Sequence, residues 1–276
     1  MSHRTWLRAA LVLGLITFSG AGGARGQLRP LDPLDWRTVG FEGRAFSVGS
    51  GLYAGQRASL AGLEGRLVEV GSFTAHWGLG QVSVEVSGTP LLVFDGRSAY
   101  TEPLAFVPSD QGLRRVDAGD LRVTTVILLT PPEQARAMAL RFGVRLPTTD
   151  NLKGLDRDQT DFFALLAGRF RRTAWDVGWE VGMGVYGTRD THNEQVDPIL
   201  FGLSALYDMG RARAVLELAG HHDPRAGPDQ RGNEDLGEAR LGVRVGGDRW
   251  MQLSLVRGWT PSSPDLGATI RFGTLF

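Results

Sequence analysis

Histidine, serine and clustered acids are the side chains here that could break bonds or hold a metal. The chain has five histidines and no cysteine, so thiol nucleophiles and cysteine metal sites are excluded. The stretch "AGHHDPRAGPD" sets His221 and His222 beside Asp223. Adjacent residues of a strand point to opposite faces, so the two imidazoles do not converge on one ion. "DNLKGLDRDQTD" gathers Asp150, Asn151, Asp156, Asp158 and Asp161. Oxygen-rich loops of this kind hold calcium, but the spacing is not that of an EF-hand and reads as a solvated loop. His76 with Ser72 and Ser83 is the nearest approach to a hydrolytic grouping, and no nucleophile motif accompanies it. "GSGLYAG" and "GLG" have no helix after them, so no phosphate cradle is indicated. These residues predict no catalytic set, no metal and no cofactor.

A second set of charges recurs at strand spacing. In "ARAMALRFGVRL", Met138, Leu140, Phe142, Val144 and Leu146 oppose Arg141 and Arg145. In "AWDVGWEVGMGVYG", the face Trp175, Val177, Trp179, Val181, Met183, Val185 opposes Asp176 and Glu180. Arg213 and Glu217 oppose Ala214, Leu216 and Leu218; Glu238, Arg240 and Arg244 oppose Leu241, Val243 and Val245. Arg122 and Arg271 complete the set. Period-two alternation of this kind marks strands with one apolar and one polar face. Full charges of both signs on one face suit a wet barrel lumen, with the apolar face against lipid. There they form either a selectivity ladder or a plug of salt bridges.

Strand-length alternating segments fill the chain from residue 44 onward: 45–56, 64–77, 81–94, 119–129, 135–146, 161–170, 174–187, 197–208, 212–222, 236–245, 249–259 and 266–276. Most reach the ~9–11 residues that a tilted strand needs to cross a bilayer. Their connections alternate in length. "GLG", "TPPE", "RRT", "MGR" and "GGD" are tight; "RASLAGL", 95–118, "PTTDNLKGLDRDQT", "TRDTHNEQV", "DPRAGPDQRGNED" and "TPSSPD" are longer. Short turns at one end and long loops at the other are the asymmetry of outer-membrane barrels. Trp77, Phe170, Trp175, Tyr207, Trp250, Trp259 and Phe276 fall towards strand ends, as interfacial girdles do. Glu69 shares parity with Leu67 and Phe73, which predicts a bulge or a strand rising out of the membrane. Arg257 shares parity with Leu253 and Leu255 and is expected at the rim.

The first residues are a targeting segment. Arg4 and Arg8 precede the apolar run "AALVLGLITF", and "ARG" before Gln27 fits a small-x-small cleavage site. The run is too short to span a bilayer as a helix. The sequence thus divides into an export signal (1–26), an N-terminal leader on the periplasmic side (27–43) and a barrel (44–276). Thirty basic residues balance thirty acidic ones, and losing the signal's three arginines leaves a slight acidic excess, which argues against a nucleic-acid partner. The 38 glycines are spread through the alternating segments, as on a curved, closely packed sheet.

The chain closes on "DLGATIRFGTLF". Ile270, Phe272 and Phe276 lie on the apolar face of this last strand, which resembles the recognition signal of outer-membrane proteins. That resemblance implies reading by the barrel-assembly machinery. The stretch 138–187, with Arg145-Leu146-Pro147, an acidic glycine-bearing loop, Asp161-Phe162 and a glycine-rich strand at 178–187, resembles the outer-membrane family associated with meta-pathway phenol degradation; "GDLRVTT" is similar to that family's preceding strand. The resemblance implies passage of hydrophobic or aromatic small molecules and supplies no catalytic residues.

The expectation is therefore an all-β chain: a transmembrane antiparallel up-and-down β-barrel of about twelve strands. It sits in a bacterial outer membrane, contacts its lipid, and passes small-molecule solutes without being an enzyme. The alternatives are a structural or surface-interaction barrel with a filled lumen, acting through loops 95–118 and 223–235, and an outer-membrane lipid hydrolase. The hydrolase would need His76 and a serine together on the outer face.

Overall fold

The computed structural model describes residues 28–40, 42–108, 110, 112–131, 133–156, 158–187, 195–224 and 234–276. The expected export signal lies outside them, as does much of the loop 223–235. Chain order runs β1 (Arg44–Ala58), β2 (Leu63–Leu79), β3 (Val82–Gly88), β4 (Leu91–Ala99), β5 (Arg114–Asp117), β6 (Leu121–Leu128) and β7 (Arg136–Leu146). One 3-10 turn (Asn151–Lys153) precedes β8 (Asp161–Arg172), β9 (Trp175–Gly187), β10 (Gln195–Val196) and β11 (Ile199–Asp208). The sheet ends with β12 (Ala212–His222), β13 (Leu236–Gly246), β14 (Arg249–Gly258) and β15 (Leu266–Leu275).

All neighbours pair antiparallel, and β1 pairs with both β2 and β15, so the sheet closes on itself as a twelve-stranded barrel. Phe276 donates its amide to Arg44 O at 2.7 Å, tying the last strand to the first. Closure leaves no free sheet edge, the condition for a sheet to stand in lipid. The five short connections and the start of β1 lie at one end, and the longer loops at the other.

Fifteen strands make twelve staves because two staves are interrupted and β10 only extends β9. The β3–β6 and β4–β5 pairs keep one register, Ser87↔Arg122 and then Leu92↔Asp117. The regular ladder is interrupted between them at Thr89-Pro90 and 118–120, where one backbone bond, from the Gly119 amide to Thr89 O (2.6 Å), still bridges the two segments. Proline has no amide to give and is tolerated only at such breaks. The sequence pattern ends the third strand at residue 94 and leaves 95–118 as loop. The structure carries β4 to Ala99 and adds β5, because Val93 and Phe94 pair with Val116 and Arg115. On its other side β7 stops at Leu146, before Pro147, opposite Leu121. There the wall continues through side chains: Thr148 Oγ1 donates to Gly119 O (2.8 Å), and the Asp150 amide to Asp117 Oδ2 (3.0 Å).

The Glu69 parity problem is a bulge. Gly49 pairs with Ser72 and Ser50 with Val70, so Gly71 is left over, at φ 73°. Glycine takes this left-handed conformation without the steric cost other residues bear. Above the bulge Leu67 and Glu69 face inward; below it Ser72, Thr74 and His76 do.

The two faces differ as a membrane barrel requires. On β9 the odd residues Trp175, Trp179, Val181, Met183 and Val185 stand exposed, while Glu180 is buried inside. Leu241 and Leu255 are 64% and 62% exposed on the same outer surface. A continuous apolar exterior of this extent belongs in lipid and not in water. Trp77, Phe170, Trp175, Tyr207 and Phe276 ring the short-turn end, and Trp259 stands at the other. Trp250 departs from the expected girdle. It shares parity with Gln252 and Ser254, points inward and is buried. Arg257 reaches Asp265 O at 2.7 Å, at the long-loop end of β14.

Candidate functional site

The lumen is occupied by the chain's own leader. Residues 28–40 enter at the long-loop end, where Leu28 packs with Tyr53, Leu67, Leu92, Phe94, Leu155 and Val256, and run down to β1 at the short-turn end. The sequence leaves this leader either on the periplasmic side or filling the lumen; the structure threads it through the barrel. Its composition explains the route. "LRPLDPLDWR" mixes apolar residues with charges without a regular period, and two prolines, Pro30 and Pro33, keep it extended. Leu34, Trp36 and Val39 bury against Val126, Leu128, Ala137, Ala139 and Ala167 on one side of the wall. Gly178 provides the floor for Trp36: an added Cβ would sit 2.5 Å from Trp36 Cδ1.

Three polar rungs fix the leader. At the first, Arg29 forks onto both oxygens of Glu238 at 2.5 Å each and lies 3.7 Å over the Tyr53 ring. The Tyr53 hydroxyl donates to Glu69 at 3.0 Å. At the second, Asp32 accepts from Arg240 (2.5 Å) and Arg271 (2.6 Å), and its carbonyl accepts from Arg141 (2.9 Å). Arg141 also donates to both oxygens of Glu180 at 3.0 Å. At the third, Asp35 accepts from Arg37 and lies 3.8 Å from Arg244. Arg37 and Arg244 both stack on Trp250, at 4.7 and 4.5 Å. Burial opposes the charge on Asp32 and Asp35, but Arg240 and Arg271 on one, and Arg37 and Arg244 on the other, hold both carboxyls well below their ordinary range.

The remaining predicted charges are distributed as follows. Arg145 is gripped near the long-loop end by Asp120, Asp156 and Asp161. Those acids neutralise an arginine, and among the described residues no three acidic or histidine groups are placed to hold a metal ion. Glu217 lies 3.7 Å from Arg240, and Asp176 pairs with Arg169. Arg213 stands beside Asp208 at the short-turn mouth, at 3.9 Å, and Arg122 lines an inner cavity. His221 binds Glu234 O and His222 binds Asp235, so the two imidazoles diverge. His76 and Ser83 are buried in the interior, and Ser72 bonds to Thr89. None of the three stands on the lipid face that the hydrolase alternative requires. Ile270, Phe272 and Phe276 lie on the closing strand, Phe272 and Phe276 exposed outward.

Sequence reasoning missed Arg29, Asp32, Asp35, Glu69, Glu85 and Trp250. The signal was the arginine count: seven of the eleven expected lumen residues are arginines against four acids, and the remaining balancing acids had to come from elsewhere, including the leader.

Space remains beside the leader. A vestibule of about 550 Å³ opens at the short-turn mouth between Trp36, Arg171, Asp208 and Arg213. Deeper cavities of about 90 and 110 Å³ follow, the second reaching Thr89, Gly119 and Asp120 at the break in the wall.

No protein-family model matches the sequence, and no curated protein matches it. Among solved structures, an outer-membrane channel of Pseudomonas putida F1 superposes with a TM-score of 0.61 at 13% identity, covering 89% of this chain and 100% of that one. LpxR of Salmonella typhimurium gives 0.46 at 8% identity over 83% and 100%. The outer membrane channel DcaP of Acinetobacter baumannii gives 0.42 at 12% over 84% and 96%. The chain is similar in fold to the first of these, a closed outer-membrane β-barrel.

Proposed function

We propose that this chain is an outer-membrane channel for small molecules, hydrophobic and aromatic ones among them, narrowed by its own leader. The observation that carries the reading is the interior of the long-loop half. Barrel lumens are ordinarily polar, yet here Leu28, Tyr53, Leu67, Leu92, Phe94 and Val256 form a buried apolar cluster directly above the polar rungs. An apolar mouth discriminates against sugars and favours solutes with little to desolvate. In this orientation the long loops face outward and the short turns the periplasm. The interrupted wall at Thr89-Pro90 and 118–120, next to the 110 Å³ cavity, supports lateral exit of a hydrophobic solute into lipid as the second reading. The reading contains no catalytic step. Phe276 and its strand serve as the assembly signal.

The test is uptake into proteoliposomes of the refolded barrel, comparing a small aromatic alcohol with a sugar of similar size, alongside single-channel current. Faster entry of the aromatic solute than in empty liposomes, with little sugar entry, is the expected result. A folded barrel that admits neither would leave the structural, loop-mediated role as the surviving one.

A further inference from the structure

The three spaces beside the leader adjoin one another. The vestibule shares Trp36, Arg37, Asp176 and Leu206 with the 90 Å³ cavity. That cavity shares Asp32, Ser47, Thr74, Glu85, Arg141 and Arg271 with the 110 Å³ one. The leader presses its apolar side chains against β6, β7 and β8, and both inner cavities are lined by residues of β1, β2, β3 and β15, of which β3 adjoins β6. That wall supplies hydroxyls where the pressed wall supplies Ala137, Ala139 and Ala167. Polar spaces of this size hold water.

At the junction of the two inner cavities the charges are unequally tied. Asp32 is clamped between Arg240 and Arg271. Arg141 directs its short contacts to Glu180 and to the leader carbonyl. Among the described residues Glu85 has one cationic contact, a 3.9 Å approach by Arg141. Its carboxylate therefore faces the junction with its charge least neutralised, in a constriction where a fixed charge acts strongly on a passing ion.

We infer that the leader does not seal the barrel: a water-filled corridor runs beside it along β1–β3 and β15, and Glu85 makes the middle of that corridor prefer small cations. The permeant class is a hydrated cation or a small organic ammonium, distinct from the hydrophobic solute of the proposed function. The inference stands on the cavities alone and does not need that reading to hold.

The absence of native cysteine allows a direct test. Ser47→Cys places one thiol at the junction with little change in volume. It is challenged from the short-turn side, in the folded barrel, with 2-aminoethyl and 2-sulfonatoethyl methanethiosulfonate. Ala139→Cys, buried beneath the leader, is the control for unfolding. The Ser47→Cys thiol should react while Ala139→Cys does not, and the cationic reagent should be faster by about tenfold. That ratio should fall towards one when Glu85→Gln is added and persist with Glu85→Asp. No labelling of Ser47→Cys in a folded barrel would overturn the corridor. A cation preference unchanged by Glu85→Gln would overturn the assignment to Glu85. Loss of aromatic uptake with labelling intact would count against the proposed function and leave the corridor standing.

Discussion

Asp32 shows how one residue couples the leader to the wall. Its two oxygens take one arginine from β13 and one from β15, strands that do not neighbour each other. Because 40% of its side chain remains open to the corridor, solvent screens these pairs, and each is worth about 1 kcal/mol and not the larger figure of a dry pair. Asp32→Asn should therefore shift the seated–unseated balance of the leader by about thirtyfold, read as faster protease cleavage within 28–40 while the barrel stays folded. The pH dependence follows from the sign of the shift. The folded carboxyl is depressed below its ordinary value of about 3.9, so its contribution is complete above that pH and is lost only as pH falls through the depressed value. Leader cleavage should be flat from about pH 8 to about pH 5 and rise only in stronger acid. A steep change near neutrality would mean that another group controls the seat.

At the scale of elements, the leader and the closing strand do different work. The leader has no ladder of its own and depends on Trp36 lying on Gly178. Gly178→Val would put side-chain atoms where Trp36 now lies, 2.5 Å from its Cδ1 at the first carbon and 2.8 Å from Ser204 Oγ. Trp36 has to leave, which should redden its fluorescence and raise single-channel current without altering the heat-dependent gel mobility of the barrel. Unchanged fluorescence would place Trp36 elsewhere. The last strand pairs with both β14 and β1 through most of its length, and Phe276 adds only a backbone bond pair to Arg44 and an exposed ring. Deleting Phe276 should leave refolding in detergent intact while lowering assembly into the outer membrane of cells. Equal loss in both settings would make the residue a structural one.

Taken whole, the molecule is apolar outside, apolar inside its long-loop half, and ionic through the middle. A polar solute must cross the apolar cluster, and a hydrophobic one must avoid the ionic rungs or leave through the interrupted wall. Single-channel current of the native barrel should accordingly be small and rise on Asp32→Asn or Gly178→Val, whereas aromatic uptake should depend less on either change. A large native current with free sugar entry would show that neither the leader nor the apolar cluster obstructs the lumen.

The sequence alone determined the barrel. Period-two alternation, the alternation of short and long connections and the closing aromatic strand are local properties of the chain, and each survives in the structure with shifts of a few residues. The same alternation told which charges face inward, as for Arg141, Glu180 and Arg240. It misplaced Trp250, where one residue of strand parity separates the lipid face from the lumen. The tertiary structure decided what those inward charges meet. The leader has no period, so nothing local tells that Arg29 joins Glu238, 209 residues away, or that Asp32 joins Arg271 across 239. Only closure of the barrel around the leader brings those charges within reach. It also leaves Glu85, a residue with no distinction in the sequence, facing the space that remains.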